Sequence, residues 1–222
     1  MKKVSASFLT AWAPSLGDDK TAWKEWLQGR REIPQASDSP SLDFMPPLFR
    51  RRLSQLTKMT VHTVHRVIEE SKKTELKIFS AGNYGEINRE FQINEQLVND
   101  HDILPATFSL SVFNTPAAQA TLACKIHSGY TAAFGAEGSF YDALAAAASI
   151  VLCGDEKEIL FTWGDENLPE EYTEHNGEKS VPLCFSFILS SEETENSFSF
   201  DADTFKDSKA EDFLRKFINE NY

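Results

Sequence analysis

The sequence predicts an α/β fold, a sheet with helices on both faces, and three observations carry that expectation. Short runs rich in β-branched and aromatic residues alternate with segments whose apolar residues recur every three or four positions. Gly82 and Gly85 stand between such a run and such a segment, where the chain must reverse. Ala143 and Ala145 to Ala148 belong to a stretch that is apolar nearly all round, which predicts a helix without a solvated face, lying inside the protein. With 222 residues, 41% of them hydrophobic, the chain is long enough for one domain, 1–222, with a substantial core.

The elements follow in order. Val4 to Trp12 mixes β-branched, aromatic and small polar residues and stops at Pro14, as a strand ending in a turn does. A short helix is expected over Thr21 to Gln28 and a loop over Gln35 to Leu42. Pro46 and Pro47 suit a first helical turn, where the missing donor is unpaired anyway. From there Phe49, Leu53, Leu56, Met59, Val64 and Val67 mark one long amphipathic helix with a buried stripe. Leu76 to Ser80 reads as a strand, and Ile87, Phe91 and Leu97 as one face of the next helix. Phe108 to Phe113 is expected to be extended, and Asn114 with Pro116 to open a helix reaching about Lys125. Gly129 to Phe134 is a further strand, Ser139 to Leu152 the alanine-rich helix, Ile159 to Trp163 and Pro182 to Leu189 strands, and Phe213 to Ile218 a terminal amphipathic helix. Because alanine permits close approach, the buried helix suggests two helices packed back to back between sheets.

A net charge of −12, concentrated from Asp155 onward, excludes nucleic-acid binding by counterion release and leaves room for a protein partner with a basic face. No stretch approaches the roughly 20 apolar residues of a bilayer span, and the amino terminus lacks a small-residue cleavage site, so a cytoplasmic location is expected. Cys124, Cys153 and Cys184 have neither metal-ligand nor disulfide spacing and read as small buried hydrophobes. No cofactor or metal is expected.

Several residue groups are chemically suggestive. Gly82-Asn83-Tyr84-Gly85 would let a phosphate sit on helix amides, but it lacks the dinucleotide spacing and the P-loop lysine, which favours a tight strand-to-helix turn. His62 and His65 share a helix face without a third metal ligand. Asp165, Glu166, Glu170 and Glu171 follow a strand end, where carboxylates serve acid-base chemistry, although an ordinary acidic loop is the favoured reading. Arg50, Arg51 and Arg52 form the one compact basic run, either a solvated helix end or a docking point for an acidic or phosphopantetheine-bearing partner. Gly129 to Asp155 reads as a strand, a sharp small-residue turn and a buried helix, an arrangement in which a helix N-terminus can activate a nucleophile.

In that order and spacing the chain resembles the amino-terminal half of a β-ketoacyl-acyl carrier protein synthase. Phe49 to Glu70 is similar to the family's arginine-led helix, and Phe108 to Gln119 to its proline-asparagine segment. Gly129 to Asp155 is similar to its nucleophile strand and core helix, and Ile159 to Glu166 to the next strand and acidic turn. The resemblance implies a thiolase-like fold, a mixed sheet with helices on both faces including the buried alanine-rich helix. Counted back from Gly154-Asp155, the family's cysteine position falls on Glu137, a carboxylate that cannot form an acyl thioester. The family's two catalytic histidines belong to its carboxy-terminal half.

The short form with Ala-Glu-Gly-Ser-Phe at the turn resembles the chain-length-factor-like proteins of aryl polyene pathways. That resemblance implies a catalytically inactive subunit, heterodimeric with a full-length, cysteine-bearing ketosynthase and reached by acyl carrier protein through the complex. Phe108, Leu110 and Phe113 would set tunnel depth, Ser128 to Ala133 would pair with the partner, and Tyr130, Thr131 and Phe134 would line the interface or tunnel. Two alternatives stand beside it: a weak decarboxylase or hydrolase using Glu137, and an unrelated α/β interaction protein.

Overall fold

The computed structural model describes residues 3–135, 139–172, 180–194 and 197–221. Its strands are β1 (Val4–Trp12), β2 (Lys77–Gly82), β3 (Tyr130–Phe134), β4 (Glu158–Asp165), β5 (Leu183–Ser190) and β6 (Phe198–Phe200). Its helices are α1 (Lys20–Leu27), α2 (Pro47–Arg50), α3 (Gln55–Ser71), α4 (Ile87–Asp100), α5 (Pro105–Phe108), α6 (Thr115–Cys124), α7 (Ser139–Cys153) and α8 (Ala210–Asn221), with a 3₁₀ turn over Ala202–Phe205. The strands form one mixed sheet in the order β3-β2-β4-β5-β1-β6. β3, β2 and β4 are mutually parallel, and β5, β1 and β6 continue antiparallel.

Strand alternation divides the core. Phe161, Trp163, Phe185 and Phe187 point to the face covered by α7 and α8, while Leu160, Ile188 and Ile78 point to the face covered by α3 and α6. Every residue of β5 is buried, as befits a strand covered on both faces. On the α7–α8 side Phe213 is the hub of an aromatic cluster, with ring centroids of Phe205, Phe187, Phe200 and Phe140 at 5.0, 5.2, 5.3 and 5.5 Å. On the other side α3 is joined to the sheet by hydroxyls: Thr63 Oγ1 lies 2.7 Å from Ser186 Oγ, which donates to Thr162 Oγ1 at 2.9 Å.

Five expectations need correction. The long helix from Pro46 is interrupted: α2 ends at Arg50, and α3 starts afresh where the Ser54 hydroxyl accepts the Thr57 amide. Phe108 to Phe113 is not extended, because Pro105 opens α5 and successive turns follow, Ser109 N–H donating to the Pro105 carbonyl and Ser111 N–H to that of Phe108. The outer face of α7 is open, with Asp142, Ala146, Ser149 and Cys153 exposed. Among the described residues there is one sheet, so α7 is covered on one side only. Finally, only Cys184 is a buried thiol; Cys124 is half-buried and Cys153 exposed.

Candidate functional site

The parallel strands β3, β2 and β4 all run toward the same end of the sheet, where Gly82 is in register with Phe134 and where α/β folds collect their ligand sites. The Gly82–Gly85 turn closes this end as expected. A Cβ on Gly82 would stand 2.2 Å from the Gly164 carbonyl oxygen, so only glycine lets β2 and β4 approach here. The Phe113 ring occupies the space over Gly85 and stacks on Phe134 at 5.8 Å.

Asp165 and Glu166 do not behave as a solvated acidic loop; both are buried, whereas Glu170 and Glu171 are exposed. Asp165 Oδ1 accepts the backbone N–H groups of Asn83 (2.7 Å) and Tyr84 (3.1 Å), and its Oδ2 accepts the Asn83 side-chain amide at 2.7 Å. Burial outweighs these donors and pushes the Asp165 carboxyl up to about 7. Glu166 accepts the first-turn amides of α3 and α4, from Leu56 at 3.2 Å and Asn88 at 3.3 Å. Its carboxyl is also raised to about 7, by burial first and then by the charge of Glu86. Glu86, which the sequence did not single out, is fully buried and accepts the hydroxyls of Ser54 (2.7 Å) and Thr57 (2.5 Å). Burial raises its carboxyl too, against those hydroxyls and Arg89. The signal for this centre was the acidic pair at the end of a strand; its burial required the tertiary fold.

Glu137 lies outside the described residues. None of the three thiols occupies an activated position. Cys184 is sealed in β5 among Thr60, Thr63 and Thr162, and burial raises its thiol. Burial pushes Cys124 up to about 12, and Cys153 is at the far end of the 15-residue α7, roughly 20 Å from its start. His62 Nε2 is 2.8 Å from Asp18 Oδ1, and His65 stacks on Phe44 at 3.7 Å. Among the described residues no cluster of three metal-ligating side chains forms.

Several of the remaining sequence candidates lie at one edge of the sheet, on or against β3. Among the described residues β3 is hydrogen-bonded to β2 alone. Ile78 N–H donates to the Gly129 carbonyl, so in the parallel ladder Thr131 and Ala133 face β2 while Tyr130 and Ala132 turn their backbone groups outward. Tyr130 is 36% exposed and its hydroxyl accepts the Asn114 amide at 2.8 Å; Thr131 and Phe134 are half-buried. Ser128, next to this strand, donates to Glu75 at 3.2 Å. Phe113, stacked on Phe134, is exposed beside the edge, Phe108 is exposed on α5, and Leu110 is buried. Leu97, Val98, Leu104, Val112 and Leu122, from α4, the loops around α5, and α6, are likewise exposed. The arginines stand elsewhere: Arg50 is held by Asp43 (2.5 Å) and the Ser41 carbonyl (3.0 Å), while Arg51 and Arg52 are exposed beside Leu48 and Phe49.

The family model for the β-ketoacyl synthase N-terminal domain matches residues 23–216. The chain belongs to that family. A β-ketoacyl synthase N-terminal domain is what the parallel β3-β2-β4 core, the glycine turn and α7 compose. The fold is also that of solved ketosynthase structures. One is the ketosynthase (ApeO) in complex with its chain length factor (ApeC) from Xenorhabdus doucetiae, with 21% identity, a TM-score of 0.70 and coverage of 85% of this chain and 79% of that chain. The ishigamide ketosynthase/chain length factor gives 13% identity and a TM-score of 0.67, covering 85% of this chain and 62% of that one. A β-ketoacyl synthase from Burkholderia phymatum gives 11%, 0.66, 88% and 60%. The match therefore spans less than two thirds of the latter two chains. Among curated protein sequences there is no match.

Proposed function

We propose that this β-ketoacyl synthase N-terminal domain is a non-catalytic chain-length-factor subunit. In this reading it pairs with a cysteine-bearing β-ketoacyl-acyl carrier protein synthase and shapes the acyl tunnel of that partner in aryl polyene or related polyketide biosynthesis. The observation that carries the reading is the β3 edge, unpaired on its outer side among the described residues, against which the exposed Phe113 ring stacks on Phe134 and the Asn114 amide meets Tyr130, while α4, α5 and α6 also carry exposed apolar side chains. An exposed strand edge is a liability for a free protein, and exposed apolar surface beside it calls for a protein cover. A partner strand hydrogen-bonded to Tyr130 and Ala132 would resolve both.

The chemistry agrees. Thioester formation needs an activated thiol, and the three cysteines are buried in β5, half-buried on α6, or at the wrong end of α7. With Glu137 where the count back from Gly154-Asp155 puts the family nucleophile, the chain in this reading contributes shape rather than bond-making. Phe113, exposed at the edge and backed by Phe134, and Phe108, exposed on α5, are bulky side chains suited to limiting a partner's tunnel by volume. Arg51 and Arg52, with Leu48 and Phe49, form the surface proposed to receive the acidic carrier protein.

Co-expression with a cysteine-bearing ketosynthase, followed by co-purification and an acyl carrier protein elongation assay, tests the reading. Ala132→Pro removes an outward N–H and leaves the β2 ladder intact, so it is expected to preserve the fold and abolish the complex. A one-to-one complex whose elongation requires this chain and survives Glu137→Ala is the expected result. A monomeric chain that leaves elongation unchanged, or an intrinsic activity lost on Glu137→Ala, overturns it.

A further inference from the structure

Glu86 and Glu166 lie where the start of α3 meets the start of α4, both with almost no exposed surface. The groups around them are mostly uncharged. From α3 come the Leu56 amide and the Ser54 and Thr57 hydroxyls, and from α4 the Asn88 amide. Charged neighbours are few: Arg89 on α4, with Nε 3.4 Å from Glu86 Oε2; half-buried Glu90, whose own carboxyl burial raises; Asp165 beside Glu166 on β4; and Glu211 of α8, which acts on Asp165. Glu86 Oε2 and Arg89 Nε are both buried and make no hydrogen bond to each other despite their closeness. A second full negative charge here would meet one poorly aligned guanidinium, which disfavours ionisation of both carboxyls together.

The helix tied down here buries little of its own surface, although it also packs on α5. Ile93 is the one buried residue of α4. Its remaining anchors crowd into its first turn: Glu166 on the Asn88 amide, the Asn88 side chain on the Asn167 carbonyl at 2.5 Å, and Arg89 on the Arg52 carbonyl at 2.8 Å. Beyond that turn the helix presents Leu97 and Val98 to solvent.

We propose that Glu86 and Glu166 share one proton, and that loss of this proton loosens the docking of α4, making the apolar partner-binding face proton-linked. Both carboxyls hold their proton more tightly in the docked state than when exposed. Docking is therefore strongest in acid and weakens as pH rises through the neutral range. The link to partner binding rests on the function proposed above; the link to α4 does not.

Two measurements separate them. The first is amide hydrogen exchange across residues 88–100 of the isolated chain at about pH 6 and about pH 8, corrected for intrinsic exchange. Protection is expected to fall about tenfold in the wild type and to stay level in Glu86→Gln and Glu166→Gln. Where a glutamine variant does not fold, carboxyl ¹³C titration of the wild type replaces it, with two coupled resonances titrating together in the neutral range as the expected result. Wild-type α4 protection that changes no more than intrinsic exchange, or two carboxyls that titrate independently in the ordinary acidic range, overturns the proposal. The second is the dissociation constant of the ketosynthase complex over the same range, expected to weaken several-fold in the wild type and not in Glu86→Gln. Proton-linked protection without any complex upholds the latch and sinks the chain-length-factor reading. A complex of constant affinity with pH-invariant protection does the reverse.

Discussion

Gly82 and Gly164 face each other across β2 and β4 so closely that a methyl on the first would lie 2.2 Å from the carbonyl oxygen of the second. Backbone cannot yield as a side chain does. Gly82→Ala is therefore expected to cost about 3 kcal/mol or more, measured by chemical denaturation. Gly135→Ala, whose added Cβ meets nothing within 4 Å, should stay within about 0.5 kcal/mol of the wild type.

Asp165 makes stability depend on pH with a defined sign. Its carboxyl is raised from 3.8 to about 7, so the folded state binds the proton more tightly than the unfolded chain. The contribution is complete below the unfolded value and is lost as pH rises through about 7. Denaturation midpoints of the wild type should fall across that interval, and Asp165→Asn should flatten part of the decline.

Thiol reactivity should be single-site. Cys184 is enclosed and Cys124 is pushed up to about 12, while Cys153 is exposed. Iodoacetamide at neutral pH followed by peptide mass spectrometry should modify Cys153 first, and blocking it should leave complex formation and elongation unchanged.

Charge reversal at Arg51 and Arg52 should separate docking from pairing. These side chains are exposed and far in sequence from β3, so Arg51→Glu with Arg52→Glu is expected to slow carrier-dependent elongation about tenfold at low salt. Co-purification of the ketosynthase should be unaffected.

Periodicity made most of this architecture legible. β1 follows from its β-branched and aromatic composition, α7 from its alanine-rich apolar run and α8 from amphipathic spacing, and Asn114 with Pro116 announced α6. The failures share a cause: local pattern does not say what lies opposite. Phe108 to Phe113 has the composition of a strand but follows Pro105, which starts a helical turn, and among the described residues no strand pairs with it. The stripe on α4 looked like a core face, yet Leu97 is 47% exposed, uncovered by any element among the described residues. Three-residue β6 is too short for a period to show. At the site, the edge position of β3 was invisible because parallel neighbours are chosen by topology, and Glu86 gained its environment from helix starts 30 residues apart in sequence.

The two rims of the sheet are unequal, and this limits how many copies can assemble. One rim is β3, five residues long with outward amides and carbonyls, and the other is β6, only three residues long. A strand that short offers little to a docking chain, so the molecule has an effective valence of one along its hydrogen-bonding direction. Growth by strand addition is therefore disfavoured beyond a pair, which guards the isolated chain against polymerising into fibres.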